Sequence, residues 1–114
     1  MKKLSIFIEA LNTKMLNAPT GWEDRDINRV FASDLISDIL ITEGEHVLLI
    51  TSLLSDQVLR AADMIGASAV VFVNRKHIPA ALGKAAAKQG IPLFHTVLPK
   101  FESCVRLGPL MESV

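Results

Sequence analysis

A chain of 114 residues is the size of one domain, with room for a real core but not for two. Twelve Lys plus Arg balance twelve Asp plus Glu, and a formal charge of zero leaves no cationic surplus to hold nucleic acid or an anionic membrane non-specifically. Half of the residues are hydrophobic and the mean hydropathy is +0.37, so some apolar surface is expected to be buried between subunits.

The first residues, Lys3 to Leu11, put Leu4, Phe7, Ile8 and Leu11 at helical spacing. Glu9 and Asn12 interrupt the apolar run, which argues for an amphipathic helix against a signal peptide. Thr13 to Ala18 reads as a short edge strand, ended by the turn chemistry of Pro19-Thr20-Gly21. After the charged segment Trp22 to Asp26, the residues Ile27, Val30 and Phe31 predict a second strand. Ser33 or Asp34 is then expected to cap a short helix through Leu40, with Leu35, Ile36, Ile39 and Leu40 on its inner face.

From His46 onward the pattern repeats. Three apolar runs, His46 to Ile50, Ala69 to Val73 and Pro92 to His95, are each followed by a helical stretch. Their continuous hydrophobicity predicts strands covered on both faces. Ser55-Asp56 opens one helix that Gly66 closes, Pro79 sits near the start of another closed by Gly90, and Pro99 precedes a third ending near Gly108. The expected fold is therefore α/β: a single small domain over residues 1–114 with a mostly parallel sheet built from repeated strand-helix units, preceded by an N-terminal helix and a short edge strand. Cys104 is the only cysteine, so no intrachain disulfide can form. No stretch reaches the length of a membrane span, and a cytoplasmic location is expected.

A parallel sheet offers ligands the crevice at the carboxyl ends of its strands. The residues just beyond the predicted strands are Thr51 and Ser52, then Asn74, Arg75, Lys76 and His77, then His95 and Thr96. Such a rim is polar, partly cationic and suited to a small anion such as a nucleotide or a phosphate. The competing reading is a solvated loop set in which Thr51, Ser52 and Thr96 merely cap helices.

Catalytic constellations are thin. Asp34 and Asp38 are four apart and would share a helix face, a spacing that could hold a divalent cation but more often means one cap and one solvated carboxylate. His46, His77 and His95 have no zinc-site spacing, and neither a metal nor catalysis is indicated. Gly83-Lys84 is followed by Ala85 and lies inside a helix, so it is not a phosphate-binding loop, and no GxGxxG follows a strand. Cys104, beside Phe101 and Val105, reads as a small buried hydrophobe.

One further pattern is longer. Asp24-Arg25, a strand, Ser33-Asp34-Leu35-Ile36-Ser37-Asp38, a strand ending in Ile50-Thr51, and Gly90-Ile91-Pro92 ahead of the last strand together resemble the DRTGG-domain family, over about Leu4 to Gly108. Asp26-Ile27-Asn28 stands where the naming motif has Thr-Gly-Gly. The resemblance implies a fold like the N-terminal domain of HPr kinase/phosphorylase. It also implies a regulatory role like that of the DRTGG modules found in phosphotransacetylases and beside CBS modules in pyrophosphatases. It further implies a non-enzymatic homodimer that senses a small effector, and joined to the rim read above the expected ligand is a small anion, for example an adenine nucleotide, at Thr51, Ser52, Asn74, Arg75 and Thr96. The family-motif residues here are Asp24, Arg25, Ser33, Asp34 and Asp38. The alternative is a structural or adaptor subunit that docks onto an enzyme complex without a small ligand. Asp24 and Arg25 are expected to pair across their turn.

Overall fold

In a computed structural model, which describes residues 1–111, the chain forms a mostly parallel five-stranded sheet covered on both faces. The elements in order are β1 (Lys2–Lys3), α1 (Leu4–Ala10), β2 (Lys14–Asn17), a 3-10 turn (Trp22–Asp24), β3 (Asp26–Ile27), β4 (Arg29–Ala32), α2 (Ile36–Leu40), β5 (Val47–Thr51), α3 (Asp56–Met64), β6 (Ala69–Phe72), α4 (Ala80–Gln89), β7 (Leu93–His95) and α5 (Lys100–Met111). The sheet runs β2-β7-β6-β5-β4, with β4 to β7 parallel and β2 antiparallel on the outside of β7. β1 and β3 form a separate antiparallel pair.

The continuous apolar runs have the expected cause. In β5, β6 and β7 successive side chains enter opposite cores: Leu49, Val70, Phe72 and Leu93 meet α2, α3 and α4, while Leu48, Ile50, Ala69, Val71 and Phe94 meet α1 and α5. Every residue of these three strands is buried. The N-terminal helix buries Leu4, Phe7 and Ile8 as its spacing predicts, and Trp22 stacks obliquely on Phe94 at 5.0 Å between ring centroids. Ser55 caps α3, its Oγ accepting from Val58 N–H at 3.3 Å. Gly90, at φ +69°, closes α4 in the left-handed conformation that a side chain would strain.

Four expectations are corrected. The strand predicted across Ile27, Val30 and Phe31 is two strands in two sheets: Ile27 pairs with Lys2, and the chain changes partner at Asn28, whose N–H reaches His46 O, so that Arg29 lies opposite Val47. α2 is only five residues long, begins after Leu35 without a side-chain cap and buries Ile39, while Leu35 and Leu40 are exposed. α5 continues past Gly108 to Met111. Pro109 has the φ of a helix, and Leu110 and Met111 pack on the core that Leu107 enters. Because α5 turns Ser103 and Leu107 inward, Phe101 and Val105 face solvent and Cys104 is half-buried.

Candidate functional site

The carboxyl ends of β4, β5, β6 and β7 lie along one rim, and each strand continues into a polar loop there. Three of these loops are the ones expected from the sequence. The fourth, following β4, brings Asp34 to the centre of the rim.

Asp34 is not a helix cap and does not share a helix face with Asp38, because α2 starts two residues later and its first turn contains only Asp38. The Asp34 carboxylate faces the loop after β5: Oδ1 accepts from Ser52 N–H at 2.7 Å and Thr51 Oγ1 at 3.0 Å, and Oδ2 accepts from Ser52 Oγ at 2.6 Å and from Lys100 Nζ. Burial works to raise the pKa of this carboxyl. The Lys100 ammonium, the Ser52 hydroxyl and amide and the Thr51 hydroxyl outweigh it and hold the group well below the usual carboxylate range. Ser33 contributes locally, its Oγ accepting from Leu35 N–H at 3.1 Å.

Arg75 extends the cluster. Its Nε and Nη2 both donate to Ser52 O, at 3.1 and 2.6 Å, so the loop after β6 is fastened to the loop after β5. Asn74, at φ +56°, makes the bend that allows this, a conformation asparagine tolerates better than most residues, and its N–H donates to Leu98 O at 2.7 Å. Thr96 is buried. Its Oγ1 donates to Leu11 O at 2.8 Å and accepts from Leu98 N–H at 3.2 Å, which ties the rim to α1 instead of capping a helix.

Beside Thr96 the rim opens into a cleft of about 340 Å³ lined by Asn12, Thr13, Lys14, Lys76, His95 and Val97. The bottom of the cleft is set by pairing, since Lys14 on β2 lies opposite His95 on β7. His95 Nδ1 is 3.1 Å from Arg75 O, and because a carbonyl only accepts, Nδ1 carries the proton when the ring is neutral. The arrangement therefore offers two lysines, a histidine and backbone polar groups to a small anion.

The expected site residues thus divide. Thr51, Ser52, Asn74, Arg75 and Thr96 do share the rim, with Thr51, Ser52 and Arg75 in one bonded cluster and Thr96 at the cleft. Ser33 and Asp34 join them. Asp38 is exposed on α2 and lines a different hollow with Arg29, Phe31 and Ile41. Asp24 and Arg25 sit at the other end of the sheet and do not pair with each other. Arg25 donates from Nη1 to Ser68 O at 3.2 Å and from Nη2 to Gly90 O at 3.1 Å, the carbonyls just before β6 and β7. The sequence reading missed Lys100 and Lys14. The available signal for Lys100 was its place directly after Pro99, at the start of the helix that leaves the rim. Among the described residues no group of three or more His, Cys, Asp or Glu could hold a metal ion, and no helix is long and apolar enough to cross a membrane.

No protein-family model matches the chain, and no curated protein matches it. Among solved structures, the chain is similar to the CBS and DRTGG domains of the regulatory region of Clostridium perfringens pyrophosphatase, determined in complex with its activator diadenosine tetraphosphate. The likeness has a TM-score of 0.73 at 13% identity and covers 92% of this chain and 45% of that one. This chain therefore spans less than half of that structure, and what the two share is the fold, the mostly parallel α/β sheet derived above from the apolar runs.

Proposed function

We propose that the chain is a non-catalytic regulatory domain, cytoplasmic and homodimeric, that binds a small anionic effector at the carboxyl rim of its sheet, with an adenine nucleotide as the leading class. The observation that carries this reading is the cleft lined by the cations Lys14 and Lys76 and by His95, adjoining Arg75, at the ligand-binding end of a parallel sheet. The nucleotide class is supported by the fold it shares with a regulatory region solved with a dinucleotide activator. A non-catalytic role is supported by the donor-rich rim, in which the charged groups nearest Asp34 are held in fixed hydrogen bonds.

The test is thermal-shift titration with ATP, ADP, diadenosine tetraphosphate and inorganic pyrophosphate, since a ligand that binds only the folded state raises the melting temperature with dose. Arg75→Ala is expected to keep the fold by circular dichroism and to weaken binding by about tenfold or more, the worth of one charge-assisted hydrogen bond. Unchanged affinity would remove Arg75 from the site, and a flat titration with all four ligands would remove the effector reading.

A second reading, an adaptor that docks onto an enzyme complex, is supported by Ile41, Met64 and Phe101, large apolar residues that are 76, 77 and 81% exposed. Its mark is stable recovery of one enzyme partner by the purified domain, lost on Phe101→Ser or Met64→Ser, with no response to any nucleotide.

A further inference from the structure

The loop after β5 already holds an anion, and the anion is the chain's own Asp34. Four donors converge on its carboxylate: the Ser52 amide and hydroxyl and the Thr51 hydroxyl from that loop, and the Lys100 ammonium from the first turn of α5. The carboxylate itself comes from a third segment, the turn between β4 and α2. The cluster is open to solvent, with the Asp34 and Lys100 side chains 40 and 36% exposed. Arg75 borders it through Ser52 O, and its Nη1 has no hydrogen-bond partner among the described residues.

The carboxylate accepts all four donors, two at each oxygen, but answers the charge of only one of the two neighbouring cations. Asp34 brings one negative charge and two oxygens. A phosphoryl group brings close to two negative charges and three terminal oxygens, so it can take the same hydroxyl, amide and ammonium donors and engage the Arg75 guanidinium as well. From this we infer that Asp34 is an internal substitute for a phosphoryl group, and that a phosphorylated ligand binds at Thr51, Ser52, Lys100 and Arg75 by expelling it. The inference rests on the anion-binding reading above and gives it an output. Asp34 is the side-chain fastening between the start of α2 and β5, beside the backbone bond from Ser33 N–H to Ile50 O. α2 buries only Ile39, and Leu35, Leu40 and Ile41 around it are exposed. Expulsion of Asp34 releases that short helix and its apolar flank, which makes α2 the segment that reports occupancy to a partner.

A tethered competitor raises the apparent Kd by the reciprocal of the fraction of molecules in which it is not seated. The experiment is isothermal titration of the whole chain with inorganic pyrophosphate, in wild type, Asp34→Ala and Asp34→Asn. Removing the competitor is expected to tighten binding about tenfold or more in Asp34→Ala, with Asp34→Asn in between, and Lys100→Met added to Asp34→Ala is expected to reverse the gain. In wild type, pyrophosphate is also expected to speed amide exchange over residues 33–43, where sodium chloride at equal ionic strength does not. If wild type binds pyrophosphate and Asp34→Ala binds no tighter, the displacement is overturned and the anion-binding reading stands. If neither binds at millimolar concentration, the displacement is overturned, and the effector reading stands or falls on the nucleotide titrations above. Should Asp34→Ala fail to fold, Asp34→Asn, which keeps the shape and removes the charge, decides by the same comparison.

Discussion

Asp34 and Lys100 show what a single side chain can and cannot disclose before the fold is known. An aspartate ahead of an apolar helical pattern has the local signature of a cap, and that expectation was reasonable for Ser33-Asp34. Its actual donors lie at Thr51, Ser52 and Lys100, and no local pattern identifies acceptor and donor across such separations. The same geometry fixes a pH dependence. Because the folded-state pKa of Asp34 lies below its ordinary value of 3.8, the contribution of this group to stability is complete above that value and is lost as pH falls through the carboxylate range. Urea unfolding of wild type is therefore expected to shift to lower midpoints between pH 5 and pH 2 by more than in Asp34→Asn, in which this contribution is absent. Parallel midpoint curves would show that the cluster has no energetic role. Asp26 adds in the same direction: its hydrogen bond and charge pairing with Lys3 lower its pKa, at a position open to solvent, which screens the effect.

Elements were more legible than residues where burial on both faces left no alternative. β5, β6 and β7 could be read from their continuous Val, Leu, Ile and Phe content, and α3 and α4 from Ser55, Pro79, Gly66 and Gly90. β3 and β4 could not be separated, because Ile27, Val30 and Phe31 satisfy one strand as well as two and the break at Asn28 is a matter of which neighbour each residue meets. α2 lies shallower than the pattern predicts, since Leu35, Ile36, Ile39 and Leu40 fit an inner face that in the structure holds only Ile39 fully. The two glycines of the α4 region carry opposite expectations. At Gly83, inside α4, an added Cβ would meet Leu16 O at 3.5 Å, an ordinary contact, so Gly83→Ala is expected to stabilise the fold by about 0.5–1 kcal/mol through helix propensity. At Gly90 the space is open but φ is +69°, so Gly90→Ala is expected to cost about 1–2 kcal/mol. Denaturant melts of the two variants check both signs. A destabilised Gly83→Ala would mean that α4 cannot shift by the little its contact with β2 requires.

At the scale of the whole molecule the two ends of the sheet do different work. The amino ends are locked by Arg25, which bridges the carbonyls before β6 and β7 and thereby joins the small β1-β3 pair to the main sheet. The carboxyl ends carry the polar rim, the cleft and the Asp34 cluster. The resemblance read from the sequence led to the right fold, and the shared fold with the pyrophosphatase regulatory region accords with it. It did not foresee that Arg25, the residue that gives the motif half of its match, would be placed far from the rim, because a motif carries residue types and not the end of the sheet they occupy. The outer strand β2 also has a consequence in time. Lys14 and Met15 pair with His95 and Phe94, so β2 has no strand partner until β7, far along the sequence, has been made. Closing so long a loop is entropically unfavourable and slow compared with local contacts. During synthesis β4 to β6 can assemble before β2 meets β7, and the cleft over Lys14 and His95 forms only once that pairing is made. Pulse-labelled hydrogen exchange during refolding should find β5 and β6 protected before β2, and equal rates would contradict that order.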